Sequence, residues 1–369
     1  MEKSRDIRWH KASNLPELTP HTEAPKQFRI RNVVIPIVLG LAVTAYMVYR
    51  EFDAQAYAKI NWSFQVLFWL FMCLVMMAIR DLGYMMRIRI LTEKKLSWKK
   101  AFDVIMLWEF ASALSPSVVG GSGVAMFILN QEKIPLGKST AIVLVTALLD
   151  ELFYILMVPI CILLAGWENL FPIELQKNLL GISLGIKGIF FAGYGFIFLL
   201  TFIILVSVFF NPKGFKNLLV RVFSLPVLRR FRPKAAEVGR EVMVTSIELK
   251  GKNFGFWAKC FGATFLSWTA RFLVINCLIL AFVASADHFI IYARQMVMWV
   301  IMLISPTPGS SGIAEIVFEG FLKEFTLPNL AGFQAFLWRL LSYYPYLIIG
   351  IIVFPRWLRR VRGTASKEA

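Results

Sequence analysis

The chain contains a short run of helix-breaking and small polar residues inside otherwise unbroken apolar sequence. Residues 114–125 read L-S-P-S-V-V-G-G-S-G-V-A, with apolar sequence on both sides. Such flanks place the run at membrane depth, where irregular backbone is tolerated only if protein buries it or if it lines a wet cavity. We therefore expect residues 114–125 to be non-helical and to line a site within the membrane.

The run recurs further along the chain. Residues 304–315 read I-S-P-T-P-G-S-S-G-I-A-E and match the first copy if one loop residue is dropped. Four flanking pairs keep a nearly constant offset: Arg80 with Arg271, Trp108 with Trp299, Asp150 with Arg339, and Tyr154 with Tyr343. Short apolar segments also resemble one another by chance, but the shared S-P and the paired breaks favour an internal repeat.

Composition identifies an integral membrane protein. The 369 residues are 58% hydrophobic and only 17% charged, which lies far outside the range of soluble domains. The net charge of +17 comes from basic residues that lie between apolar segments. We interpret them as topology signals and contacts with anionic lipid, and we expect no binding of nucleic acid.

Hydropathy predicts six transmembrane helices, at residues 32–49, 62–79, 139–166, 188–210, 256–283 and 331–354. The loop at 80–100 carries seven basic residues, and the loop at 211–255 carries ten basic against three acidic ones. The positive-inside rule places both loops in the cytoplasm, with the tails at 1–31 and 356–369, so we expect an inner-membrane protein with cytoplasmic termini. Residues 235–249 are expected to form a helix on the inner leaflet or an ordinary amphipathic linker.

Two apolar segments at 102–130 and 296–321 are each interrupted by a break. The segment at 102–130 could cross the membrane or return to the side from which it entered. Only the return keeps the basic 211–255 loop in the cytoplasm. The first hairpin then enters from the cytoplasm and the second from outside. This predicts an all-α polytopic membrane protein with two re-entrant helical hairpins and an inverted repeat of halves 32–210 and 256–355, the architecture of alternating-access transporters.

Several ionisable residues fall within apolar segments, namely Glu109, Asp150, Glu151, Arg271, Glu315, Glu319 and Arg339. Each costs about 2.5 to 3.5 kcal/mol at a helix centre, so they should face the interior and find partners. Asp150 and Arg339 hold equivalent positions in the two copies. Our hypothesis is that Asp150 or Glu151 pairs with Arg339 in one state and releases it to a substrate phosphate in another; a permanent ion pair is the alternative.

The two breaks also predict anion sites at the starts of half-helices, near Ser122 and Gly123 and near Ser311 and Gly312. Free backbone N–H groups and the helix dipole attract anions there, and glycine permits close approach. The expected substrate-binding residues are Ser115, Ser117, Gly120, Gly121, Ser122, Gly123, Ser310, Ser311 and Gly312. Close helix packing through small residues is the alternative explanation.

The sequence contains no HExxH, GxSxG or Walker A motif, and its three histidines are scattered. The G-G-S-G stretch has no preceding strand and no following Lys-Ser/Thr, so it is not a nucleotide loop. We therefore expect a protein that is not an enzyme and that uses no cofactor or metal.

The motifs S-P-S-V-V-G-G-S-G, L-L-D-E-L-F-Y and S-P-T-P-G-S-S-G-I-A-E resemble the lysylphosphatidylglycerol synthase transmembrane, or flippase-like, family over roughly residues 30–355. The chain looks like the flippase half of the multiple peptide resistance factor. This resemblance implies translocation of a phospholipid or lipid-linked headgroup, with roles for Asp150, Glu151, Glu315 and Arg271. Resistance factors add a soluble aminoacyl-transfer domain, and the residues after Arg362 are too few for one, so synthesis of lysylphosphatidylglycerol is not expected.

The function predicted from these features is that of a lipid flippase or scramblase. Its substrate would be an anionic or zwitterionic phospholipid bound at the membrane midplane between the hairpins. Two alternatives stay open: an accessory or scaffold protein of a lipid- or glycolipid-modifying enzyme, and an ion-coupled carrier of a small solute. The sequence is compatible with a homo-oligomer and with a lipid-modifying enzyme as partner.

Overall fold

A computed structural model describes Tyr49 and residues 62–115, 118–172, 176–179, 182–225, 229–303, 305 and 307–368. Nearly all of this part of the chain is helical. Numbered from the first long helix described, the helices are α1 (Phe64–Leu91), α2 (Trp98–Leu114), α3 (Val118–Gln131), α4 (Leu136–Ala165), α5 (Trp167–Leu170), α6 (Ile186–Leu205), α7 (Pro212–Val222), α8 (Arg232–Lys250), α9 (Phe254–Phe282), α10 (His288–Met302), α11 (Ile313–Leu322), α12 (Ala331–Ser342) and α13 (Tyr344–Glu368). Two short antiparallel strands, β1 (Gln176–Leu179) and β2 (Ile182–Gly185), lie between α5 and α6.

Five helical segments are long and apolar enough to span a membrane within the described ranges. They are Phe64–Leu91, Leu136–Ala165, Ile186–Phe210, Phe254–Phe282 and Ala331–Val361. Each coincides with one of the spans expected from hydropathy, and the chain is a multi-pass membrane protein. The expected tail at 1–31 lies outside the described residues, as does the expected span at 32–49 apart from Tyr49.

Helix α1 is longer than the sequence suggested. The Ser63 side chain accepts a hydrogen bond from the Val66 N–H at its start, and the helix continues to Leu91. The expectation of a basic loop beginning at Arg80 is therefore wrong. No proline occurs between Ile79 and Leu91, and the guanidinium groups of Arg80 and Arg87 turn into the protein, where both residues are buried.

The first break is shorter than expected. Helix α2 ends at Leu114. The next residue, Ser115, is extended and precedes Pro116, and a residue before proline is disfavoured in the helical region. Helix α3 begins already at Val118, so the expectation that all of residues 114–125 are non-helical is wrong for the V-V-G-G-S-G stretch. Gly121 lets α3 pack closely against α2, because a Cβ at this position would overlap Ser112.

The second break is more irregular. Helix α10 ends at Met302, a single 3-10 turn covers Pro308–Ser310, and α11 begins after Gly312. Three residues here have left-handed φ angles: Gly309 (56°), Ser310 (55°) and Gly312 (88°). Glycine adopts this region without steric cost, which explains the P-G-S-S-G sequence. The turn lies against α2, and the Tyr343 hydroxyl donates a hydrogen bond to the Ala113 carbonyl at 3.1 Å.

The segment after α6 contains the helix that was expected at 235–249. This stretch belongs to α8, whose residues Val242 and Leu249 are buried against the protein. Helix α8 packs on α4 and α7, and the Gly137 N–H donates to the Glu241 carboxylate at 2.5 Å. Outside the spans, hydrogen bonds from Lys252 and Lys138 hold the pKa of Glu93 below its usual value and tie the α1–α2 loop to this region.

Packing leaves a cavity among the long helices. Helix α1 packs along α9, while α2 contacts α3 and α13, and α4 contacts α3, α8 and α10. The outward faces carry large exposed apolar side chains, such as Phe71 on α1, Phe202 on α6 and Ile352 on α13. Exposed apolar side chains on helices of this length are the expected contact with lipid tails.

Candidate functional site

A cavity of about 310 Å³ lies among α1, α2, α4, α9, α10 and α12. Its volume is at the lower end of the range for small-molecule sites, which suits a headgroup rather than whole acyl chains. Seven charged residues line it: Arg80, Arg87, Glu109, Asp150, Glu151, Arg271 and Arg339. All eight members of the four repeat-related pairs identified in the sequence also line it.

Arg80 joins α1 to α2 and α13. Its guanidinium donates to the Glu109 carboxylate and, at 3.2 Å, to Asp81. The rings of Tyr84 and Tyr346 lie on it at 5.0 and 4.8 Å, and Tyr346 also donates to Asp81 at 2.8 Å. Two carboxylates and two rings therefore surround this arginine, while its buried Nε atom has no hydrogen-bond partner among the described residues.

Arg87 joins α1 to α4 and α9. Its Nη1 and Nη2 atoms donate to the Asp150 carboxylate at 2.5 and 3.2 Å, and Nη1 also donates to Thr264 at 3.0 Å. The Trp268 indole N–H donates to Asp150 as well, at 2.7 Å. Asp150 is therefore held by three donors in a bidentate, charge-assisted arrangement, which is the strong form of such a contact.

Arg339 fastens the second helix break. Its Nε lies 3.2 Å from the Glu315 carboxylate, and its Nη2 donates to the Gly309 carbonyl at 3.0 Å and to the Ser311 hydroxyl at 3.2 Å. Glu315 in turn accepts from the Gly312 N–H at 2.7 Å, and its side chain is only 1% exposed. The Tyr343 ring covers the guanidinium at 3.7 Å.

Arg271 differs from these three arginines. Its guanidinium lies on the rings of Trp299 and Trp268, at 4.4 and 5.1 Å. It forms no ion pair or hydrogen bond with any residue that the structure describes. Arg271 is half-buried and faces the cavity, so its N–H groups remain available for an anion.

Helix α4 presents a face of unpartnered polar groups to the same cavity. Glu151 is 8% exposed, and no described residue donates a hydrogen bond to it or pairs with it. The hydroxyls of Thr146 and Tyr154 are buried and also lack partners within the described ranges. Buried polar groups are normally hydrogen-bonded, so these three point to a polar occupant of the cavity.

The expected substrate-binding residues separate into two groups. Ser115, Ser122 and Ser310 line the cavity, whereas Ser117 lies outside the described residues. Four others, Gly121, Gly123, Ser311 and Gly312, are not among its lining residues, and the surroundings of Gly120 lie outside what the structure describes. Gly121 serves packing against Ser112, as the alternative explanation proposed, and nothing lies within 4 Å of a Cβ placed at Gly123.

The geometry corrects the two expected anion sites. Helix α3 begins at Val118, so Ser122 and Gly123 lie past its first turn and their position at a helix start is wrong. Helix α11 does begin after Gly312, but the Glu315 carboxylate already occupies the Gly312 N–H. A side chain of the protein itself therefore serves as the anion at the second site.

The charge partners also differ from the expected ones. Arg339 contacts Glu315 and not Asp150 or Glu151, and Asp150 is held by Arg87. The reason is that Glu315 lies in the first turn of α11, directly after the loop to which Arg339 binds. Of the other expected charges, Glu109 and Arg271 line the cavity, while Glu319 on α11 does not and has its carboxylate 3.9 Å from Lys323.

Arg80 and Arg87 are site residues that sequence reasoning assigned to a loop. The sequence from residue 62 to 92 is mostly apolar and aromatic and contains no proline, which was the available signal for a longer helix. Their seven-residue spacing places them on one face of that helix, which a count of loop charges does not consider.

These features define a class of protein. It is a multi-pass helical membrane protein whose charged cavity lies between two interrupted helical segments and contains polar groups without hydrogen-bond partners in the described ranges. The sequence profile described as the lysylphosphatidylglycerol synthase TM region matches residues 33–350, and the chain belongs to that family. It is 25% identical over 339 residues to a UPF0104 membrane protein of Archaeoglobus fulgidus, covering 86% of this chain and 95% of the relative. No solved structure gives a significant match.

Proposed function

We propose that this protein moves a phospholipid between the two leaflets of the cytoplasmic membrane. The lipid phosphate binds Arg271 in the cavity while the acyl chains remain in the bilayer. The observation that carries this proposal is that Arg271 contacts aromatic rings and forms no ion pair with a described residue, whereas each of the other three cavity arginines has a carboxylate partner. An arginine without a counter-ion at membrane depth is costly, so a bound anion is its natural complement.

The cavity size supports a headgroup as the occupant. About 310 Å³ accommodates a phosphate with a small alcohol but not two acyl chains. Trp108, Trp299 and Tyr154 form part of the wall, and such rings suit the boundary between a polar headgroup and its apolar tails. The substrate is therefore an anionic or zwitterionic phospholipid.

The arrangement of helices supports alternating access as the mode of transport. A long helix, a short helix, a break, a short helix and a further long segment occur in this order twice, in α1 to α4 and in α9 to α13. We infer that the two sets form an inverted repeat, with α2–α3 and α10–α11 as re-entrant hairpins of opposite orientation. The termini are then cytoplasmic, and transport proceeds without covalent chemistry on the lipid.

A liposome assay tests this function. The purified protein is reconstituted with phosphatidylglycerol that carries a fluorescent label on one acyl chain, and a membrane-impermeant quencher reports the label in the outer leaflet. Wild type should exchange the label between leaflets, and Arg271→Gln should exchange it at least about tenfold more slowly, because it loses charge-assisted hydrogen bonds to the phosphate. Arg271→Lys should retain an intermediate rate.

Arg89→Gln is the matched control. Arg89 also lies on a tryptophan ring, that of Trp98 at 4.1 Å, but it is not a lining residue of the cavity. This variant should exchange lipid at the wild-type rate. Absence of exchange in folded wild type, or equal rates in wild type and Arg271→Gln, would contradict the proposal and favour an accessory role beside a lipid-modifying enzyme.

A further inference from the structure

Two neighbouring carboxylates on α4 have opposite surroundings. Asp150 accepts from Arg87 and Trp268, whereas Glu151 has no partner among the described residues. Both line the cavity, and Glu151 is 8% exposed. A buried carboxylate without a partner is strongly disfavoured as an anion, so it takes up a proton or a cation.

Among the charged residues that line the cavity, Glu151 and Arg271 are the two without an ion pair to any described residue. The titratable groups that face this region are Arg80, Tyr84 and Arg87 on α1, Glu109 on α2, Asp150 and Tyr154 on α4, Arg271 on α9, Arg339 on α12, Tyr343 between α12 and α13, and Tyr346 on α13. Arg80, Arg87 and Arg339 are each paired with a carboxylate. Within the described residues, α3, α6 and α10 contribute no charged side chain to the lining.

We propose that Glu151 carries one proton across the membrane together with each anionic lipid headgroup bound at Arg271. This inference rests on the function proposed above and adds its driving force. Glu151 accepts the proton from water on the side where the lipid enters, and it releases the proton to water on the side where the lipid leaves. No covalent bond other than the O–H bond of the carboxyl forms or breaks.

Electrostatics gives the direction of coupling. A phosphate at Arg271 neutralises that arginine and adds a negative charge to the cavity, and a nearby negative charge favours the neutral form of a carboxyl group. In the loaded state the phosphate balances Arg271 and the proton balances Glu151. In the empty state the charges of Arg271 and Glu151 sum to zero. Both states are neutral overall, so both can rearrange in a medium of low dielectric constant.

The test applies a pH difference of one unit across liposomes that contain the full-length protein and acyl-labelled phosphatidylglycerol. With the outside more acidic, wild type should concentrate the label in the inner leaflet, towards a ratio of about tenfold, because one pH unit corresponds to a tenfold ratio at one proton per lipid. Glu151→Gln should still exchange the label but bring it to an even distribution. Glu168→Gln, the same change at an exposed carboxylate, should behave as wild type.

A second measurement needs wild type alone and does not depend on how Glu151→Gln folds. An excess of phosphatidylglycerol in the outer leaflet, without a pH difference, should acidify the lumen as measured by a trapped pH dye. Lipid exchange that ignores the pH gradient, that runs against it, or that brings no protons would overturn the coupling while leaving lipid translocation intact. A gradient response in Glu151→Gln equal to that of wild type would overturn it too, whereas absence of any exchange would refute translocation itself.

Discussion

Two arginine–glutamate sets near the cavity differ from each other: Arg339 and Glu315 form an ion pair, whereas Arg271 and Glu151 do not. Arg339 and Glu315 lie 3.2 Å apart, and their side chains are 7% and 1% exposed. Arg271 and Glu151 remain apart, each without an ionic partner in the described part of the chain. The first set holds a backbone turn in place, through Gly309 and Gly312. Arg271 and Glu151 do not hold any part of the described backbone in place.

This difference separates structural charge from functional charge. A buried ion pair stabilises a particular loop geometry only as long as both partners are present. An unpaired charge at membrane depth contributes little to folding and is retained at a cost unless it has a ligand. The same chemical change made in the two sets should therefore have different consequences.

Arg339→Gln should produce the largest loss of stability. It leaves the Glu315 carboxylate buried without its counter-ion, and removing one partner of a buried pair typically costs about 3–5 kcal/mol. Chemical or thermal unfolding in detergent measures the loss. A variant as stable as wild type would mean that the Arg339–Glu315 contact does not hold the second break, and the comparison would fail.

Gly309→Ala should cost less, about 1–3 kcal/mol. Gly309 has a φ angle of 56°, and a Cβ there would overlap the Tyr343 ring, which covers Arg339. Gly123→Ala is the matched control, since Gly123 is helical and a Cβ there meets nothing within 4 Å. Unfolding of the two variants side by side should show a loss for the first and none for the second. Equal losses of stability in Gly309→Ala and Gly123→Ala would contradict the difference described between the second break and the first.

Arg271→Gln should have the smallest effect on stability. It removes ring contacts with Trp268 and Trp299 but leaves no buried carboxylate unpaired, so the loss should be about 1 kcal/mol or less. The unfolding experiment used for Arg339→Gln applies unchanged. A loss as large as that of Arg339→Gln would show that Arg271 has a structural partner, contrary to its proposed availability for lipid.

The sequence predicted the five described spans because long apolar stretches have few alternative structures. It also predicted Arg271 as a site residue, whereas Trp299 was noted only as the repeat partner of Trp108. Arg80 and Arg87 were misassigned because hydropathy ends a helix at the first charge, whereas Glu109 and Asp150 allow α1 to continue.

The partners of the charges could not be predicted from sequence. Asp150 was expected to face Arg339, but which carboxylate reaches an arginine depends on helix rotation and packing, which one sequence does not specify. The extent of the first break was overestimated for a related reason. Gly121 permits close packing on Ser112 within a helix, and glycine content alone does not distinguish that role from a loop.

Equilibrium binding of phosphatidylglycerol to the detergent-purified protein tests the central claim most directly, since it needs no assumption about transport. Wild type and Arg89→Gln should bind the lipid with the same dissociation constant, and Arg271→Gln should bind it at least about tenfold more weakly, because the phosphate loses its charge-assisted donor. An unchanged dissociation constant in folded Arg271→Gln would contradict the claim that the unpaired arginine is the binding site for the lipid phosphate.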